Sequence, residues 1–207
     1  MKQIPTFLVL GLALSLCNLT SKLKKAGNSN GPGTSSSGES IAAEKAQATA
    51  AETAALAGGS TIKWDKQGMS WTAPSKWTKE TDETRDFAMR SPGSWDAANL
   101  IVNISAMADD FPTDVSLKAT YDGQKTRMKN GELDQLRWLE IDGLKGVQFR
   151  ESNPEKPDGI RRMQWIAFRK YAGQVQMVNV MLSTDGKDFA RHQDAMYGVL
   201  YSMKLVH

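Results

Sequence analysis

Two dipeptides, Asp142-Gly143 and Ala172-Gly173, limit what this chain can fold into more than any other feature. Each separates two segments of strand-like composition, residues 132–141 from 144–151 and residues 160–171 from 174–183. A two-residue gap containing glycine between such segments is the signature of a tight hairpin. Hairpins set neighbouring strands antiparallel, so the sheet is expected to be largely antiparallel.

Four shorter strand candidates precede these, at residues 62–65, 69–73, 87–90 and 99–107, each flanked by Gly, Pro, Asp or Ser. Between the two groups the hydrophobic period changes. Residues 113–128 carry Leu117, Tyr121, Gln124 and Met128 on one helical face, with Thr113 or Asp114 as cap and Asn130-Gly131 as stop. A last helix is expected over 186–203, with Phe189, Met196, Val199, Leu200 and Met203 at helical spacing and Arg191, His192, Gln193 and Asp194 mostly outward. Strands, helix, four-strand meander and helix, in that order, make an α+β sandwich: an antiparallel sheet with two packed helices over residues 61–207. That length buries an adequate core.

The first sixty residues are of another kind. Met1-Lys2-Gln3 is a short positive start, and Ile4 to Leu16 is an apolar run of thirteen residues, long enough for a secretory signal and too short to span a bilayer. Export is expected, with residues 1–16 as signal peptide. Leu14-Ser15-Leu16-Cys17 resembles a bacterial lipobox, in which the cut falls before a cysteine that then carries lipid, although Leu16 stands where lipoboxes carry a small residue. The single cysteine, Cys17, sits where an anchor needs it. The competing cut, after Ser15, has Ala13 and Ser15 at the small-residue positions and would release a soluble protein. Residues 17–60 are expected to be a flexible tether. Its first part is rich in Ser, Gly, Asn and Lys, and the alanine-rich stretch 40–57 has helix propensity but only Ile41 and Leu56 as anchors, so it should fray or act as a spacer.

Composition narrows function by exclusion. One cysteine and two histidines exclude disulfide frameworks and the usual Cys/His zinc modules. The net charge is +3, but residues 61–207 hold 21 basic against 20 acidic side chains, so a nucleic-acid partner is not expected. No glycine-rich phosphate loop is present.

Few residues are candidates for chemistry. His192 lies one turn after Asp188, and in a hydrolase that pair would orient a base; on an outward helical face it reads as a solvated pair. Asp109, Asp110 and Asp114 gather at a helix start, where the dipole favours carboxylates without a metal and where calcium is the alternative. Arg161-Arg162 and Arg169-Lys170 read as solvated strand ends, or with Arg150 as an anion-friendly patch. Of the six tryptophans, most read as packing, while Trp95, in the loop Ser94-Trp95-Asp96, is the candidate partner contact.

The run Met69-Ser70-Trp71-Thr72-Ala73-Pro74-Ser75-Lys76-Trp77 resembles the opening of PsbP-like and DcrB-like domains, and Ile141-Asp142-Gly143 is similar to the turn that begins their strand meander. The resemblance covers residues 61–207. It implies a PsbP-like sandwich and an exported bacterial lipoprotein, in a family without common catalytic residues. The expectation is therefore a non-enzymatic cell-envelope lipoprotein, membrane-anchored through lipid on Cys17 and facing the periplasm, without cofactor or metal. It would bind a protein partner or support an envelope complex. The alternative is a secreted hydrolase or a small-ligand or calcium-binding protein built on His192 or on Asp109, Asp110 and Asp114.

Overall fold

The computed structural model describes residues 42–94 and 96–207. In chain order the elements are β1 (Glu44–Lys45), α1 (Ala50–Ala55), β2 (Ser60–Trp64), β3 (Met69–Ala73), β4 (Thr78–Asp82), β5 (Asp86–Arg90), β6 (Asn99–Ala106), α2 (Thr113–Lys129), β7 (Leu133–Ile141), β8 (Leu144–Glu151), β9 (Ile160–Tyr171), β10 (Gln174–Asp185), α3 (Phe189–Tyr201) and β11 (Lys204–Leu205). The chain is α+β. An eight-stranded sheet runs in the order β1-β7-β8-β9-β10-β6-β5-β4, and a three-stranded sheet in the order β11-β3-β2. Every pairing is antiparallel except that of β1 with β7.

Both expected hairpins form where the dipeptides place them. Asp142 and Gly143 have φ of 51° and 83°, and Ala172 and Gly173 have φ of 50° and 79°. Two successive left-handed residues define a type I′ turn, whose twist matches that of the strands it joins. Register follows at once, with Ile141 opposite Leu144 and Tyr171 opposite Gln174.

Because β6 and β7 are separated by four antiparallel pairings, they run the same way, and α2 is the crossover that returns the chain between them. It covers β7, β8 and β9, burying Leu117 against Trp138, Val147 and Phe149, with Tyr121 stacked on Trp138 at 4.8 Å. The expected cap is corrected: α2 starts after Pro112, whose carbonyl accepts from the Ser116 amide (2.9 Å), so Thr113 and Asp114 lie inside the first turn. On the other face of the sheet lie α3 and the three-stranded sheet. Trp64, Trp71, Phe87, Trp165, Phe189, Met196 and Leu200 fill the space between them, and Trp71 meets Phe87 edge-on at 4.8 Å.

The alanine-rich segment is not the spacer its composition suggests. Thr49 and Glu52 close a capping box at the start of α1, which overcomes the cost of nucleating so short a helix. Ala46 and Leu56 pack on the main core, and β1 adds to the edge of β7. Gly198 of α3 makes the docking possible, since a β-carbon there would stand 2.7 Å from the Glu52 carbonyl oxygen. The folded unit therefore starts before residue 61. Residues 186–188 also differ, forming a 3-10 turn ahead of α3, and Met203 is buried just beyond the end of α3.

Candidate functional site

Cys17 and Trp95 lie outside the described residues. His192 is half-buried, and its Nε2 meets the carbonyl of Asp96 at 2.8 Å and the Arg191 guanidinium at 3.3 Å. The expected pairing with Asp188 is corrected, because Asp188 is taken by Arg191 (3.2 Å), which also binds the Asp96 carboxylate (2.8 Å) and holds it below the usual carboxylate range. The 91–98 loop thus folds over the side of α3 that helical periodicity would leave in water. Asp109, Asp110 and Asp114 are exposed, and among the described residues no three His, Cys, Asp or Glu side chains converge as a metal site.

The arginines are corrected most. Arg161 and Arg169 are 9% and 4% exposed, so they are parts of the interior and not solvated strand ends. Arg169 donates to the carbonyls of Gln67 (2.7 Å) and Val206 (3.0 Å) and to the side chains of Gln67 and Gln176, which ties the ends of the small sheet to the large one. No carboxylate accompanies it among these partners, and burial pulls its pKa down to about 10. Arg150 and Arg161 share Asp134, and Arg150 reaches Gln193 and Tyr197 of α3. Alongside, Arg137 binds Gln148, Tyr201 and Glu44 (2.9 Å), and burial pushes the Tyr201 hydroxyl above its ordinary value. The result is a polar seam beneath α3 whose donors and acceptors satisfy one another, so it orients α3 on the sheet.

The other face of the sheet is built differently. Register places Ala88, Ile101, Met181, Gln164 and Phe149 in one row across β5, β6, β10, β9 and β8, so all five share the side on which α2 lies. A neighbouring row runs Asp86, Asn103, Asn179, Ile166 and Val147, and another runs Arg90, Asn99, Ser183 and Arg162. Helix α2 covers the β7–β9 half. Among the described residues no helix packs on β10, β6 or β5 from this side. There Ile101, Met177 and Met181 are half-buried at the centre, with Asp86 and Asn103 joined (2.6 Å) at one end and Arg90 and Arg162 at the other. Two buried polar atoms of this face, Asn179 Oδ1 and Arg90 Nε, have no hydrogen-bond partner. An apolar centre with a charged rim is the anatomy of a protein-binding patch. Sequence reasoning passed over it, although β10 carried the signal: Val178, Val180 and Leu182 fill one face, and Met177 and Met181 make the other apolar as well.

A shallow depression of about 340 Å3 lies elsewhere, between Lys63, Asp65, Ser70, Asp142 and Lys204. Both signs of charge line it, and Lys204 is held by Asp142 at 3.0 Å.

No family model matches the chain, and no curated protein matches it. Solved structures resemble it in outline. The solution structure of cyanobacterial PsbP (CyanoP) from Synechocystis is 16% identical over 72% of this chain and 92% of that one, with a TM-score of 0.47. The Ran-binding protein Mog1p of Saccharomyces cerevisiae is 9% identical over 72% and 95%, with a TM-score of 0.42. A crystal structure from Bacteroides thetaiotaomicron is 12% identical over 68% of this chain, with a TM-score of 0.44, and this chain spans about half (46%) of its length. At these identities and scores the likeness assigns neither an activity nor a partner.

Proposed function

We propose that this chain is a non-enzymatic cell-envelope lipoprotein that works by holding a protein partner against the open half of its large sheet. The observation that carries this reading is the apolar centre of Ile101, Met177 and Met181 on strands left without a helix. The charged run at the start, the apolar leader and Cys17 directly after it support export and lipid attachment on the periplasmic side of a membrane. The resemblance of Met69–Trp77 to PsbP-like and DcrB-like domains supports the same reading, since that family has no shared catalytic residues.

Two measurements test it in the full chain. Cys17→Ser should turn a membrane-pelleted protein into a soluble one, and a wild type already soluble with Leu16 at its terminus would refute the anchor. Ile101→Glu combined with Met181→Glu should leave the melting temperature unchanged while reducing the complex seen in mild detergent to the size of the free chain. An unchanged complex would refute the surface.

A further inference from the structure

The helix layer on the open side of the sheet is half filled. Three bare strands span about 15 Å at the usual strand spacing, and a helix with its side chains is about 10–12 Å across. One helix fits beside α2. A second sheet does not, because facing sheets pack about 10 Å apart and α2 already stands in that layer. Resting on the partner-binding reading above, we propose that the open face receives a single amphipathic helix of a partner protein, its apolar stripe on Ile101, Met177 and Met181 and its C-terminal end at Arg90.

Direction follows from charge. Asp86 marks one end of the face, and Arg90 with Arg162 marks the other. Arg162 is engaged by Glu151 at 3.3 Å. Arg90 has no carboxylate partner among the described residues; its guanidinium binds the Ser94 carbonyl, and its Nε is buried without a partner. The last carbonyls of a helix are unsatisfied and carry the negative end of its dipole, so they belong at Arg90, with the positive end toward Asp86. This makes the incoming helix run in the same direction as α2, which leaves β6 near Asn103 and descends to the start of β7. Methionine adapts to whichever apolar side chains arrive, and Asn179 Oδ1 offers an acceptor to a polar one.

The experiment places a photoreactive p-benzoylphenylalanine singly at Ala88, Ile101, Met177 or Met181 in the full chain, irradiates cells, and sequences the crosslinked peptides. Attached partner residues should lie three, four or seven apart, and the residue captured at Met177 should precede the one captured at Met181. Arg90→Glu should lower the yield at Met181 by about fivefold, as loss of a rim charge pair does. The probe at Val115, which is 69% exposed on α2, should capture none of these residues. Attachment sites spaced two apart, reversed order, or capture of a second copy of this chain would overturn the helix and leave partner binding standing. No adduct from any of the four positions, at unchanged melting temperature, would overturn both.

Discussion

Replacing Gly198 by alanine should destabilise the protein, although in an ordinary helix the same change stabilises. Alanine is favoured over glycine inside helices by about 1 kcal/mol. At Gly198, however, the new methyl would stand 2.7 Å from the Glu52 carbonyl oxygen and 3.0 Å from Leu56 Cγ, and the nearer of these is backbone that cannot swing away. Either α3 and α1 move apart under strain, at about 1–3 kcal/mol for overpacking, or α1 lets go and half-buried Leu56 loses about 1–1.5 kcal/mol of burial. Subtracting the propensity gain leaves a net loss of about 0.5–2 kcal/mol. Gly123 in α2 is the matched control, because a β-carbon there meets nothing within 4 Å. Gly123→Ala should stabilise by about 1 kcal/mol. Urea unfolding followed by tryptophan fluorescence gives both free energies. Hydrogen exchange at Thr53 and Leu56, whose amides bond to Thr49 (2.9 Å) and Thr53 (3.2 Å), reports whether α1 has left. If Gly198→Ala stabilises as much as Gly123→Ala with those amides still protected, the close contact between α1 and α3 is wrong.

Ala172 holds a left-handed conformation that costs an L-residue about 1–2 kcal/mol, so Ala172→Asn should raise stability by about 0.5–1 kcal/mol in thermal unfolding. Burial raises the Asp142 carboxyl, but the Leu205 amide (2.9 Å) and Lys204 outweigh it and hold the group below its ordinary value. A depressed carboxylate stabilises the fold above its unfolded pKa and stops doing so as pH falls through the folded one. Asp142→Asn should therefore cost about 1 kcal/mol at neutral pH, with the two proteins converging below about pH 3 in a stability series. Arg169→Lys keeps the charge but loses the planar fork that reaches Gln67, Gln176 and Val206 together, and should cost about 2–3 kcal/mol in urea unfolding; an unchanged midpoint would show that an ammonium suffices.

The elements legible in the sequence are those whose signal is local. The four long strands and both I′ turns carry alternation and turn chemistry within a few residues of one another, and α2 carries its own period. What the sequence hid depends on distant partners. Strand β4 reads Thr-Lys-Glu-Thr-Asp, a polar edge with an irregularity between Lys79 and Thr81 that guards against further pairing, and nothing in its pattern marks it as a strand. Segment α1 offers few apolar anchors, and its place depends on a missing side chain at Gly198, about 140 residues away. The buried arginines look like any surface charge until Gln67, Asp134 and Val206 are brought to them. His192 was assigned to water by helical geometry, which has no knowledge of the loop that reaches over it.

The three-stranded sheet has a consequence in time. Its middle strand, β3, has one neighbour just before it in the chain and the other at Lys204–Leu205, while the Thr72 amide bonds to the Ser202 hydroxyl across a separation of 130 residues. Closing so wide a loop is entropically costly, and chains dominated by such contacts fold in milliseconds to seconds instead of microseconds. Until residue 205 is available, the edge of β3 that β11 will occupy has no strand beside it, and Arg169 lacks the Val206 carbonyl. Folding of this domain therefore finishes with its last strand, and a chain cut a few residues short of Lys204 should stall as a partly closed intermediate with an unpaired edge rather than as a slightly smaller native state.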